Sequence, residues 1–431
     1  MSPDLLPVDV AAARILAACE PLPAAPMDLT AVAMDPVPHF LAEHLLSRRA
    51  LPPFSNSAMD GYAVSDIDTV PVTLKLVGES LAGHGSHAGI TPGTAIAITT
   101  GAPIPRGATA VVMREQCDES GRAHGGVVVH HRPRPGEHIR LRGEDVDTDA
   151  TVGAVGDVLS PARLNLLWSA GHTRVLVARR PTVAIMASGD ELKEVGSALG
   201  DDDVVNSNAW AIAAACRRLG CTVRLLGIAK DTLTDHVALM QQGLVDDVDV
   251  LLTIGGVSVG SHDFVRPALQ HLGASLSLWR LAMRPGKPLA FGAIPRPTTT
   301  TTTTTATTTA TTTTSAAAVR FFGLPGNPVS AMVTFRLFVQ PALQRLSGAP
   351  ATAVATRPAI LRDEVAFIKK RGLSFFARAI TAREGNELVV RTVDRQGSGQ
   401  VSGLADATAL CCFAADDERI EPGSVVDVID W

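Results

Sequence analysis

Three carboxylates recur at one place in a repeating pattern. Glu191 follows the apolar run 182–187, Asp231 follows 222–228, and Asp263 lies beyond 248–254. Each run reads as a buried strand, and each is followed by a helical pattern. Like charges gathered on one edge of a sheet repel unless a cation joins them. The predicted chemistry is therefore a divalent cation, with Glu191, Asp231 and Asp263 as metal ligands or as groups that orient water. Taken singly, each also reads as a helix cap.

Other segments carry anion-binding chemistry. Thr-Ile-Gly-Gly-Val-Ser-Val-Gly at 253–260 ends a strand. Gly255 and Gly256 let the backbone approach a phosphate, their amides form a nest, and Ser258 adds a hydroxyl. Gly-Leu-Pro-Gly-Asn-Pro-Val at 323–329 is a second such loop. It contains Pro325, with Asn327 as N-cap and Pro328 at the first helical position, and should leave free amides at the helix start. Met-Arg-Pro-Gly-Lys-Pro at 283–288 sets Arg284 and Lys287 on a stiff turn, which lowers the entropy lost on binding an anion. Earlier in the chain, Asp60 lies in Asn-Ser-Ala-Met-Asp-Gly-Tyr-Ala (56–63). Thr100 lies in Thr-Thr-Gly-Ala-Pro (99–103), and Asp145 in Arg-Gly-Glu-Asp-Val (142–146). Each of these also reads as an ordinary turn.

The elements that must position these groups follow from periodicity. A strand–helix alternation over 182–272 predicts a parallel sheet with helices on both faces. Ligands of such sheets bind at the carboxyl ends of the strands, where the motifs fall. Short β-prone runs at 70–77, 94–99, 110–113 and 126–131 predict a small all-β module, and runs at 359–361, 388–392 and 425–429 a C-terminal β-barrel. Amphipathic helices are expected at 6–19, with Val8, Ala11, Ile15 and Ala18 on one stripe, and at 160–170. The 431 residues are 46% apolar, which excludes global disorder, and the net charge of -5 argues against a nucleic-acid binder that relies on positive charge. No apolar run is long enough to span a membrane. The six cysteines form no C-x-x-C pair, which reads as reduced structural thiols in the cytoplasm.

In this order the motifs resemble the molybdopterin molybdenumtransferase family, called MoeA in bacteria and matched by the E domain of gephyrin. The resemblance runs from Asn56 to Met332, with weaker matches at Gln396-Gly397-Ser398 and around Phe376 to Arg378. It implies an α/β multidomain fold: a helical dimerisation region (1–50 and 143–178), an inserted β domain (51–142), a molybdopterin-binding α/β domain (179–347) and a C-terminal β-barrel (348–431). It implies a homodimer in which Asp60 and Thr100 complete the site across the dimer, with Asp145 among the site's carboxylates. The implied reaction is Mg²⁺-dependent insertion of molybdate into adenylylated molybdopterin, with release of AMP and molybdenum cofactor. Molybdopterin adenylyltransferase is an implied partner, and Arg378 and Ser398 are implied binding residues. The sequence departs from the family at 28–49. It also has Ser188 where the family usually has Thr, and Arg284 where some members have Lys. Two other readings are an adenylyltransferase, which would lack the segments around Asp60 and Asp145, and a non-catalytic gephyrin-like scaffold.

Residues 298–314 are threonine except for Ala306 and Ala310. The tract falls between two strands, 289–294 and 319–322, that should be neighbours in one sheet. It reads as an insertion in their hairpin loop. With no apolar face to bury, it is expected to be a mobile excursion away from the cleft.

Overall fold

The computed structural model describes residues 5–245, 247–257, 263–296, 299–305, 308–314 and 318–431. Ser258 lies outside the described residues. Two compact units divide the chain, one made of residues 1–25 and 177–431, the other of 26–176. No helix among the described residues is long and apolar enough to cross a membrane.

The first unit is organised by a six-stranded sheet: β1 (Thr182–Ser188), β2 (Thr222–Ala229), β3 (Val250–Ile254), β4 (Ser275–Arg280), β5 (Pro288–Ile294) and β6 (Val319–Leu324). Their order is β2-β1-β3-β6-β5-β4. β2, β1, β3 and β6 are parallel; β5 runs antiparallel to β6 and β4 antiparallel to β5. The sheet is thus mixed, because the predicted β5–β6 hairpin reverses the chain. Alternate residues bury on opposite faces, as a doubly covered strand requires. Val183 and Ile185 join Ile212, Ala213 and Val329 on one side, while Ala184 and Met186 join Met240, Val265 and Leu269 on the other. The N-terminal helix Val8–Ala18 lies in the first of these cores through Ala11 and Ile15. The sequence reading passed over β4.

The C-terminal strands close into a ring. Ser374–Glu384 pairs with Glu387–Thr392, which pairs with Arg357–Leu361, then Val425–Asp430, then Ala409–Phe413, which returns to Ser374–Glu384. Met283–Arg284 adds to this barrel, parallel to Ser374–Glu384.

Within the threonine tract the described residues pair with one another. Thr299–Thr305 and Thr308–Thr314 form an antiparallel ribbon. Pairing needs no buried face, and β-branched residues favour extended backbone.

In the second unit a six-stranded sheet orders Ala110–Met113, Gly61–Val64, Thr94–Ile98, Val72–Ser80, Gly126–Val129 and Cys117–Asp118. Its core holds Tyr62, whose hydroxyl donates to Glu119 Oε1 at 2.5 Å. Helix Pro161–Ser169 starts as expected: Pro161 opens it and Ser160 Oγ accepts from the Arg163 amide at 3.2 Å.

Candidate active site

The parallel strands bring their following loops to one edge of the sheet, and the antiparallel β5 brings its leading end to the same edge. Along that edge the residues change sign. Asp231 follows β2, Glu191 follows β1, and Asp263 lies in the connection after β3. Beyond β6 come Pro325, Asn327 and Pro328, then Lys287 before β5, with Arg284 in the β4–β5 turn. The side toward β2 and β1 carries Asp231, Asp190 and Glu191 beside the exposed Lys230, and the side toward β5 carries Arg284 and Lys287.

A cavity of about 430 Å³ opens at this edge, lined by Ser188, Glu191, Asn206, Asn208 and Asn327 among others. Of the three predicted metal carboxylates, Glu191 lines it and Asp231 and Asp263 do not. Among the described residues the three do not close into a metal-sized cluster. The Asp231 amide donates to Asp190 Oδ1 at 3.1 Å, so Asp190, which the sequence reading passed over, ties the β1 and β2 loops together. Asp263 Oδ1 accepts from the Val265 amide at 3.2 Å, while its Oδ2 is buried and unpartnered among the described residues. Burial raises this carboxyl to about 6, against opposing amide hydrogen bonds.

Gly255 and Gly256 are required by their backbone. Both have positive φ (90° and 64°), and a Cβ would meet Ser188 O at 2.7 Å or Val265 Cγ2 at 2.7 Å. Beneath them, Ser188 Oγ lies 2.9 Å from Nε2 of His236, a fully buried residue that the sequence reading did not single out.

Asn327 sits at the N-cap with Pro328 at the first helical position, as predicted. Its side chain makes no capping bond and is exposed, so it faces the edge unspent. The expectation of free amides needs one correction: the Val329 amide donates to Ser398 O at 3.1 Å. This bond brings Ser398 to the helix start. Arg378 shapes the same loop from within the barrel. It is fully buried, with Nε donating to Arg395 O at 3.1 Å and Nη2 to Gly397 O at 3.3 Å. Its Nη1 is buried without a partner among the described residues. A desolvated guanidinium with an unspent donor suits an oxyanion. Desolvation also lowers its pKa. Arg284 and Lys287 are exposed, and the Arg284 guanidinium stands 5.9 Å from the Phe375 ring centre. The turn is closed by the Leu281 amide on Lys287 O at 2.8 Å. Gly286 is held at φ 96° against Thr334.

The second unit assembles its own motifs. Asp60 Oδ1 accepts from the Thr100 amide at 2.6 Å and from Thr100 Oγ1 at 2.9 Å. The amide bond is the main reason the Asp60 carboxyl is held below the ordinary range. The Asp145 amide donates to Leu51 O, and the Arg142 amide to Ser55 Oγ. The Gly101 amide donates to Ser57 O. Three motifs far apart in sequence are thereby laced together around Leu51–Ser57.

Three family profiles match the chain in order: the MoeA N-terminal region (domain I and II) over residues 6–171, a probable molybdopterin binding domain over 184–345, and the MoeA C-terminal region (domain IV) over 361–431. The molybdopterin molybdenumtransferase of Haemophilus influenzae is 32% identical over 90% of this chain and 90% of its own. That of a Nostoc species is 34% identical over 90% and 85%. The fold is shared with the molybdopterin biosynthesis MoeA protein of Pyrococcus horikoshii, at a TM-score of 0.76 and 24% identity over 99% of this chain and 100% of that one.

Proposed function

Because the chain belongs to the molybdopterin molybdenumtransferase family, we propose that it is a transferase that inserts molybdate into adenylylated molybdopterin, releasing AMP and molybdenum cofactor. The observation that carries this reading is the change of sign along the carboxyl edge. The substrates are a pyrophosphate-linked nucleotide and an oxyanion, and both need cations. Arg284 and Lys287 supply exposed ones, and Arg378 a buried one whose Nη1 has no partner among the described residues. Asn327 and the Gly255-Gly256 turn supply neutral donors to phosphate.

The carboxylate side fits Mg²⁺. Asp263 has a buried oxygen without a partner among the described residues, which a hard cation would satisfy, and one or two carboxylates suffice beside phosphate and water. Asp263 and Asp231 would hold the ion, which when bound would neutralise the pyrophosphate and polarise the anhydride that is cut. Glu191 faces the cavity instead. Asp60, fixed as an acceptor by Thr100, and Asp145 are assigned to a partner subunit's cleft in a homodimer. Met34 (84% exposed), Val155, Leu46 and Trp168 are apolar surface in the second unit that a second copy would cover. The six unpaired cysteines fit a reducing compartment, and we assign the protein to the cytoplasm, supplied by molybdopterin adenylyltransferase.

The test incubates purified protein with adenylylated molybdopterin, Mg²⁺ and graded molybdate. AMP release should rise with molybdate. Release indifferent to molybdate would refute the assignment.

A further inference from the structure

Helix Leu233–Gln242 buries two residues, His236 and Met240. Met240 is the apolar side chain such a position calls for. His236 is fully buried too, and both of its ring nitrogens are engaged. Nδ1 donates to Thr232 O at 2.8 Å, one turn back, where the His236 amide also donates at 3.2 Å. Nε2 stands 2.9 Å from Ser188 Oγ at the end of β1. That contact holds in either charge state of the ring, since a bare Nε2 accepts from the hydroxyl and a protonated one donates to it. On a third side the Phe264 ring packs, 5.8 Å between ring centres.

Each of these contacts falls beside a carboxylate. Thr232 follows Asp231, Phe264 follows Asp263, and Ser188 leads through Gly189 into Asp190. Thr232 is tied at both ends: its Oγ1 caps the helix by accepting from the Asp235 amide at 3.2 Å, and its carbonyl is held by His236. Asp231 is then fixed from two directions, by Thr232 and through its own amide on Asp190 Oδ1 at 3.1 Å. The loops after β1, β2 and β3 leave three different strands, and one imidazole meets all three. His236→Leu would fill similar space and bond to none of them.

We propose that His236 is a positioning residue that registers these three loops on one another and so sets the spacing of Asp231 and Asp263. The inference rests on the reading of those two carboxylates as the holders of a divalent cation. Mg²⁺ demands near-octahedral oxygens about 2.1 Å away, so ligand loops that slip by a fraction of an ångström lose affinity for it.

The experiment uses the full-length protein, with Met240→Ala as a control that opens a cavity one turn further along the same helix. Without metal, amide hydrogen exchange follows one bonded amide from each loop: Gly189 on Ala229 O, Asp231 on Asp190 Oδ1 and Val265 on Asp263 Oδ1. In His236→Leu all three should exchange faster by about fivefold to tenfold, the scale of one hydrogen bond, and Met240→Ala should not single them out. Mn²⁺, counted by paramagnetic resonance in place of Mg²⁺, should bind His236→Leu and Ser188→Ala more weakly by about the same factor. The two changes together should cost no more than either alone, because they break the same contact. Ser188→Thr, which keeps the hydroxyl, should bind Mn²⁺ as the parent does. In turnover, the Mg²⁺ needed for half-maximal AMP release should rise while kcat at saturating Mg²⁺ is preserved. Parental Mn²⁺ affinity in His236→Leu, or an equal loss in Met240→Ala, refutes the proposal. If His236→Leu fails to fold, Ser188→Ala with its threonine rescue decides alone. A parent protein that binds no Mn²⁺ would refute the cation reading, and exchange at the three amides would still decide whether His236 registers the loops.

Discussion

The two edges of the central sheet treat buried carboxylates in opposite ways. At the amino edge Asp249, which precedes β3, is closed on every side. Arg179 meets it with two bonds of 2.7 and 2.6 Å, and the Thr182 amide adds a third at 2.9 Å. At the carboxyl edge Asp263, which follows the same strand, keeps a buried oxygen with no partner among the described residues and an elevated pKa. One strand thus separates a satisfied carboxylate from an unsatisfied one. An orphaned buried polar group leaves a place that a ligand or water can complete, and the proposed site lies at the edge that has one.

The contrast breaks most visibly at Asp263. Asp263→Asn should lower molybdate-dependent AMP release by about a hundredfold or more, the scale of removing one group that stabilises transition-state charge. The same change should make the ligand-free protein more stable at neutral pH, and the sign follows from the pKa. Burial raises the folded carboxyl to about 6, above the ordinary aspartate value of about 3.9. Between those values the folded state holds a proton that the unfolded state releases, so stability falls as pH rises through this window. Urea midpoints at pH 4.5 and 7.5 should show that fall in the parent and a smaller one in Asp263→Asn. Mg²⁺ affinity should rise over the same window, since the ion needs the ionised form.

At the amino edge the outcome reverses. Arg179→Ala leaves Asp249 ionised with its side chain only 6% exposed, and should cost about 3 kcal/mol. That is the low end for breaking a buried pair, because the Arg179 side chain is 41% exposed and solvent can partly replace it. Activity per folded molecule, measured as AMP release after correction for the unfolded fraction, should not change. A loss of activity beyond the loss of fold would erase the distinction between the edges.

A smaller effect is expected at Gly256, where φ is 64° and a Cβ would lie 2.7 Å from Val265 Cγ2. Gly256→Ala should cost about 1–2 kcal/mol through backbone strain and the shift forced on Val265. It should also raise KM for the nucleotide substrate, since the amide nest moves with it.

The same two edges explain what the sequence discloses. Strands β1, β2, β3, β5 and β6 are readable because each is a short apolar run beside glycine or a helix cap, and the motif loops follow them. β4, Ser-Leu-Ser-Leu-Trp-Arg, does alternate with a strand's period, but it is short and follows directly on a helical pattern, and the motif-led reading passes over it. Ser374–Glu384 likewise mixes arginine and alanine with its aromatics, because barrel closure rather than local pattern defines it. Site residues carried by motifs are legible. His236 is not: a histidine on an amphipathic helix reads like any other, and only the approach of β1 brings Nε2 to Ser188. Arg378 is legible by resemblance, but its burial and its hold on the loop before Ser398 arise from pairings that local sequence does not encode.

The smallest effect belongs to the threonine tract. Ile294 and Val319 are cross-strand partners at the far end of the β5–β6 pair. β5 leaves the carboxyl edge at Lys287 and β6 returns to it at Leu324, so the loop between them emerges at the amino edge. The tract therefore projects from the side of the sheet opposite the cavity, beside the closed Asp249 pair rather than the open Asp263. Shortening such a loop changes closure entropy slowly, by about 0.6 kcal/mol per halving. Excising residues 298–314 should shift the urea midpoint by less than that of any variant above and leave KM and kcat for AMP release at parental values. A loss of turnover would mean that the amino edge also touches substrate or partner, and the division of labour between the two ends of the sheet would have to be redrawn.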